Sequence, residues 1–360
     1  FIFFILVLIS IIFSIHLIHL GSRQSKIEKE DNFNINNNSL YRADIVDTEN
    51  NYLVKTVKSI DIGINPVEII DKKKLLLNLR YIFPEKNFQE IEIKIKKNKF
   101  FWFEKKISEE NYEKIMKLGD KSIKPHESLT RLYPHKNLFS HIIGQIDDDN
   151  YGISGIEKSF DEILKQRSEP LELTVDSDIQ FLIRKELIKY NEIFNAKGSA
   201  AVLMNIHSGE IIAFTSIPDF DLNKREKISD KNYINRVSKG VYEFGSVFKT
   251  FTLAAAFDEN LIEPETEYLD LPKSLTCYGF AIREYDNKIP KDLSAEQILI
   301  RSGNVGSVRI GQEVGQEKFK YFLSKIGVLD EIKFDIEETG KPIKFNWGKC
   351  PLATASYGHG

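Results

Sequence analysis

The first twenty residues, Phe1 to Leu20, are apolar apart from Ser10, Ser14, His16 and His19. A run of about 20 such residues matches the hydrocarbon core of a bilayer and predicts a membrane anchor. A cleaved leader carries a shorter apolar core that ends in a small-residue site. Gly21-Ser22-Arg23-Gln24 offers no such site, so an uncleaved anchor is favoured, with His16 and His19 at its interfacial end. The chain then turns polar over 21–40, with Asn32, Asn34, Asn36, Asn37 and Asn38. That composition buries no core and reads as a linker, with ordered structure expected from Tyr41.

From 41 to 168 the pattern is mixed. Pro66 to Leu79 predicts a turn leading into a helix, and Ser108 opens another that runs to about Leu118. Ile91, Ile93 and Ile95 alternate with Glu92, Lys94 and Lys96, a period of two that predicts a half-exposed strand or a short amphipathic stretch. Phe101-Trp102-Phe103 is a short apolar run, and the lysines between Lys94 and Lys106 read as a solvated face. Near Leu171 the character changes. Leu171 to Val175 is strand-like, Asp176 or Ser177 caps a helix striped by Ile179, Leu182, Ile183, Leu187 and Tyr190, and 200–215 reads as a hairpin around His207-Ser208-Gly209-Glu210. The succession predicts helices packed on an antiparallel sheet.

Chemistry enters at Gly245-Ser246-Val247-Phe248-Lys249, which runs into the apolar Thr250 to Ala256. A hydroxyl and an amine stand one helical turn apart on one face. An alcohol needs a base before it becomes a nucleophile. A lysine serves once a desolvating environment disfavours its ammonium. A helix beginning at the serine also places its positive end where negative charge would develop. With 26 serines and 39 lysines, an S-x-x-K tetrapeptide by itself means little. This is the chain's only one, however, and Ser302-Gly303-Asn304 follows, completing two-thirds of a recorded acyl-transfer signature.

Length allows two or three domains, and a net charge of −3 argues against a nucleic-acid partner. Cys277 and Cys350 are too few for a disulfide framework, and whether they bridge is open. His207 and His359 lack metal-ligand spacing, so no metal or cofactor is expected.

Tyr242 to Lys249 with Ser302-Gly303-Asn304 resembles the first two motifs of class B penicillin-binding proteins, of the cell-division type. Arg131-Leu132-Tyr133-Pro134, Gly144-Gln145-Ile146-Asp147, Gly155-Ile156-Glu157 and Phe160-Asp161 resemble that family's pedestal signatures. Thr174-Val175-Asp176 with Gln180, Ser208 to Ile211, and Ala353 to Gly360 resemble segments of its transpeptidase domain. Arg42 to Asp47 keeps part of an early signature, with Ala43 in place of a glycine and Thr48-Glu49-Asn50 in place of Arg-Asn-Gly. The third motif, K-T-G, is absent, and the resemblance implies a chain truncated at both ends.

The resemblance implies an α+β protein: a transmembrane anchor (1–20), a linker (21–40), an elongated mixed α/β pedestal (41–168) and a serine β-lactamase-like transpeptidase domain (169–360), incomplete at its C-terminus. It implies a single-pass protein of the bacterial inner membrane, with the catalytic domain outside the cytoplasm, that cross-links stem peptides ending in D-alanyl-D-alanine at the septum. Ser246 would be the nucleophile, Lys249 its base, Ser302 a proton relay and Asn304 the group that holds the substrate amide. The Ser246 backbone N–H would supply half of an oxyanion hole. β-Lactams would acylate the same serine, and a polytopic glycan polymerase with other division membrane proteins would be partners. Two other readings compete. One is a non-catalytic scaffold of the same fold; the other is a membrane-tethered β-lactam sensor or serine β-lactamase, which a pedestal of this size disfavours.

Overall fold

The computed structural model describes residues 13–14, 41–224 and 231–359. The expected anchor (1–20) and linker (21–40) lie outside the described residues, save Phe13 and Ser14. Among the described residues, no helix is long and apolar enough to cross a membrane. The chain forms two compact units. One comprises the described residues of Phe1–His135 with Asp148–Asn150 and Phe160–Thr174; the other comprises the described residues of Lys136–Asp147, Tyr151–Ser159 and Val175–Gly360. Both mix helices with mostly antiparallel strands.

In the first unit, β1 (Ile45–Val46), β2 (Tyr52–Ile64), β3 (Phe101–Glu104), β4 (Ile123–Leu132) and β5 (Leu171–Glu172) make one sheet, ordered β3-β2-β1-β5 with β4 also on β2. Only β1 and β5 pair in parallel. The strand expected over Leu171 to Val175 is shorter, because the chain bends at Thr174 to reach the helix cap at Asp176. Helices α1 (Lys72–Ile82), α2 (Phe88–Lys96) and α3 (Glu109–Met116) are capped by Asp71, Asn87 and Ser108, whose side chains accept from first-turn amides. The alternating isoleucines thus belong to a helix, and not to a strand. Phe88, Ile91 and Ile95, at helical spacing, enter the core beside Leu75, Leu79, Ile62 and Phe103, while Ile93 is exposed. Ile91 and Ile95, four apart, share a face in either a strand or a helix, and the Asn87 cap decides for the helix.

A buried polar knot ties this unit together. Arg42, fully buried, donates through Nη1 to Asp161 Oδ1 at 2.5 Å and to the Asn150 carbonyl at 3.1 Å. Arg131 Nη1 donates to the Ala43 carbonyl at 2.9 Å and to Thr56 Oγ1 at 2.8 Å. Several residues noted separately in the sequence, Arg42, Arg131 and Asp161, thereby meet in one network. Ala43, which stands where the family pattern has glycine, is itself fully buried.

In the second unit, Asp176 caps α4 (Ser177–Ile193), and β6 (Ser199–Met204) with β7 (Ile211–Ile217) forms the expected hairpin. The apolar stripe on α4 is only partly covered: Leu182 and Tyr190 are exposed, and Ile179, Ile183 and Leu187 are half-buried. The contact to the hairpin is polar. Buried Gln180 accepts from Phe214 N at 2.8 Å and donates to the Phe214 and Leu138 carbonyls. Helix α5 (Lys249–Asp258) lies in the main core through Leu253, Ala255 and Ala256. Around it are short strands β8 (Glu267–Tyr268), β9 (Ser274–Cys277), β10 (Phe280–Arg283) and β11 (Leu293–Ser294), of which β8 pairs with β11 and β9 with β10. Helices α6 (Ala295–Ile300), α7 (Asn304–Val314), α8 (Gln316–Lys325) and α9 (Lys349–Ala355) complete the unit. Cys277 and Cys350 form a disulfide that ties the β9–β10 hairpin to α9.

Candidate active site

Ser246 lies in a tight 3₁₀ turn, Gly245–Phe248, that runs directly into α5 at Lys249. The α-helix therefore starts three residues later than expected from the sequence, at the lysine and not at the serine. The 3₁₀ geometry keeps positions i and i+3 aligned. Ser246 is exposed, while Lys249 is fully buried. Gly245 has a φ of 60°, the left-handed region where a side chain is strained.

The turn is held from a distant part of the chain. Gly245 N–H donates to the Gly358 carbonyl at 2.9 Å. His359 Nδ1 lies 3.1 Å from Glu243 Oε1, and Thr252 Oγ1 donates to the Ser356 carbonyl at 2.9 Å. A Cβ at Gly358 would stand 1.8 Å from the Gly245 carbonyl oxygen, so only glycine allows this approach. These contacts belong to the Ala353 to Gly360 segment that resembles the family, and the sequence alone does not say what it touches. His207, the other histidine weighed as a ligand, lies on the exposed hairpin loop. Among the described residues, no group of three or more His, Cys, Asp or Glu side chains is arranged to hold a metal.

The second motif arrives from the α6–α7 junction. Ser302 follows the C-cap of α6 with a φ of 55°, a left-handed conformation that stores backbone strain at a polar site. Asn304 opens α7. Four oxygens then surround Lys249 Nζ: Ser302 O at 2.5 Å, Asn304 Oδ1 at 2.7 Å, Ser302 Oγ at 2.9 Å and Ser246 Oγ at 3.1 Å. All four residues singled out in the sequence are thus brought together.

The donor count decides what this cluster can do. The Ser302 carbonyl and Asn304 Oδ1 can only accept, and the Asn304 amide is oriented because its Nδ2 donates to the Arg283 carbonyl at 2.8 Å. In a neutral amine these two acceptors take both N–H bonds. The lone pair then remains for a hydroxyl proton, from Ser246 or from Ser302. Burial pushes the Lys249 pKa down to about 8, against a smaller upward pull from the Glu284 carboxylate. The arrangement can therefore take a proton from an alcohol and pass it between two hydroxyls. Nearby, the Tyr357 phenol is pushed up by burial, and further by the Glu243 charge.

Residues 38–191 match the penicillin-binding protein dimerisation domain, and 199–360 match the penicillin-binding protein transpeptidase domain. A probable peptidoglycan D,D-transpeptidase FtsI of Caulobacter vibrioides is 25% identical over 324 residues, covering 89% of this chain and 55% of the relative. Stage V sporulation protein D of Bacillus subtilis is 26% identical over 327 residues, covering 82% of this chain and 50% of its own. The chain spans about half the length of the curated relatives it matches. The fold is similar to the crystal structure of a peptidoglycan synthetase from Bifidobacterium adolescentis, with a TM-score of 0.65, 19% identity and coverage of 89% of this chain and 69% of that one. Two family matches in succession, over nearly the whole described chain, place it among the class B penicillin-binding proteins, to which it belongs.

Proposed function

We propose that the protein is a peptidoglycan D,D-transpeptidase that works through a serine acyl-enzyme and is a target of β-lactams. The observation that carries this reading is the coordination of Lys249 Nζ, whose two N–H bonds are taken by carbonyl oxygens while its lone pair is left to the hydroxyls. Ser246 Oγ attacks the carbonyl carbon between the two D-alanines of a stem peptide as Lys249 accepts its proton. The resulting oxyanion is stabilised in part by the Ser246 backbone N–H. Collapse breaks the peptide bond, and the departing D-alanine nitrogen receives a proton relayed through Ser302 Oγ. An amine of a neighbouring stem then attacks the ester, gives up its proton along the same route, and restores the Ser246 hydroxyl. Asn304 orients the substrate amide.

In this reading residues 1–20 anchor the chain in the inner membrane, 21–40 link, 41–168 form a pedestal and 169–360 hold the chemistry outside the cytoplasm. The relative named FtsI supports a septal role, with glycan-polymerising and other division proteins as membrane partners. A non-catalytic scaffold of the same fold is the competing reading, and one experiment separates the two. The protein at its full natural length is treated with a fluorescent penicillin and weighed intact beside Ser246→Ala. A stoichiometric adduct that disappears in the variant is expected. A folded protein that takes up no label overturns the catalytic reading in favour of the scaffold.

A further inference from the structure

Glu284 belongs to neither motif, yet it grips the start of α7. It directly follows the last residue of β10, and its carboxylate accepts from Asn304 N–H at 2.6 Å and from Val305 N–H at 2.9 Å. Helix α7 has Gly303 at its N-cap, with no side-chain cap of its own. The opening N–H groups of a helix need acceptors, and a carboxylate there also meets the positive end of the dipole. Glu284 supplies from another element the cap that Gly303 lacks. Its neighbour Arg283 accepts from Asn304 Nδ2 at 2.8 Å. The end of β10 thus takes the backbone donor and the side-chain donor of Asn304, which leaves Asn304 Oδ1 aimed at Lys249 Nζ. The hairpin is itself anchored, since Cys277 at the end of β9 is bridged to Cys350 on α9.

We propose that Glu284 is a positioning residue for acyl transfer: by capping α7 at Asn304 and Val305 it fixes the Asn304 amide, and through it the orientation of the Lys249 amine. This rests on the catalytic reading above. Glu284 touches no reacting atom. A flipped or loosened Asn304 would present a donor where the amine needs an acceptor, and the lone pair would no longer be reserved for a hydroxyl. The nearby carboxylate also favours the Lys249 ammonium, so it raises the pH at which the amine becomes free.

The test compares wild type, Glu284→Ala, Glu284→Gln and Glu284→Asp in the full-length protein. It reads fluorescent-penicillin acylation, split into initial binding and the acylation rate constant, together with amide hydrogen exchange at Asn304 and Val305. Loss of two charge-assisted hydrogen bonds predicts an acylation constant about tenfold lower or worse in Glu284→Ala, with binding little changed and faster exchange at both amides. Glu284→Gln keeps an acceptor but no charge, so it retains most of the rate and moves the acid limb of the acylation profile to lower pH. Acylation and amide exchange both at wild-type levels in folded Glu284→Ala overturn the proposal. Acylation in Glu284→Gln as slow as in Glu284→Ala, with wild-type exchange at both amides, also overturns it. Should Glu284→Ala fail to fold, Glu284→Asp and Glu284→Gln decide on the same readouts. If wild type itself is not acylated, the catalytic reading fails instead, and the amide exchange still decides whether Glu284 holds Asn304.

Discussion

Lys249 carries the greatest electrostatic cost in the site. An ordinary lysine titrates at 10.5, whereas burial brings this one to about 8. Below pH 8 the amine is charged in the folded and unfolded chain alike, and the cost of burying that charge, about 3 kcal/mol, is present in full. Between 8 and 10.5 the unfolded chain holds the extra proton, so this group makes stability rise with pH across that window. Activity follows the same titration. Acylation by a penicillin is expected to climb about tenfold from pH 7 to pH 9 and then level off, as the neutral amine comes to dominate. A stopped-flow profile of acylation against pH checks it, and a flat profile would exclude Lys249 as the base. The pairing of Ser246 with Lys249 was legible in the sequence because i and i+3 neighbours need only local geometry. The role of Glu284 was not legible: an isolated glutamate gives no sign of which helix end it will meet.

Elements hold the motifs in register. The 3₁₀ turn bearing Ser246 is fixed by Gly358, at a φ of 87° and with its Cα packed on the Gly245 carbonyl. In Gly358→Ala the new methyl must displace that turn, on top of about 1–3 kcal/mol of left-handed backbone strain. Acylation is expected to collapse while the far-ultraviolet circular dichroism of the folded protein stays unchanged; wild-type labelling by Gly358→Ala would show the contact to be dispensable. The disulfide acts at the same scale. Reducing it, or replacing both cysteines by serine, is expected to cost about 2–4 kcal/mol, measured by denaturant unfolding. The isoleucine alternation in α2 shows where local pattern runs out. Ile91 and Ile95 fit two periods, and the cap and the surrounding core choose between them.

At the scale of the whole molecule, each unit has its own apolar core. Asp161→Ala removes the carboxylate paired with fully buried Arg42 in the first unit. Breaking a buried pair on one side costs about 3–5 kcal/mol. Calorimetry is expected to show one transition shifted down and a second, belonging to the unit with Ser246, left in place. A single shared shift would mean that the units unfold as one.

The sequence by itself determined what depends on near neighbours along the chain: the S-x-x-K turn with its apolar helix, the capped helices at Asp176 and Ser108, the hairpin around Gly209 and the family signature. Tertiary structure alone decided what depends on distant segments meeting. It joined Cys277 to Cys350, brought Arg42 to Asp161, set Gly358 against Gly245 and placed Glu284 under α7. The physical reason is one of range. Backbone periodicity and caps act within a turn or two, whereas a lysine whose burial lowers its pKa to about 8, ringed by oxygens from the Ser246 turn and the distant Ser302–Asn304 segment, needs remote parts of the chain to meet.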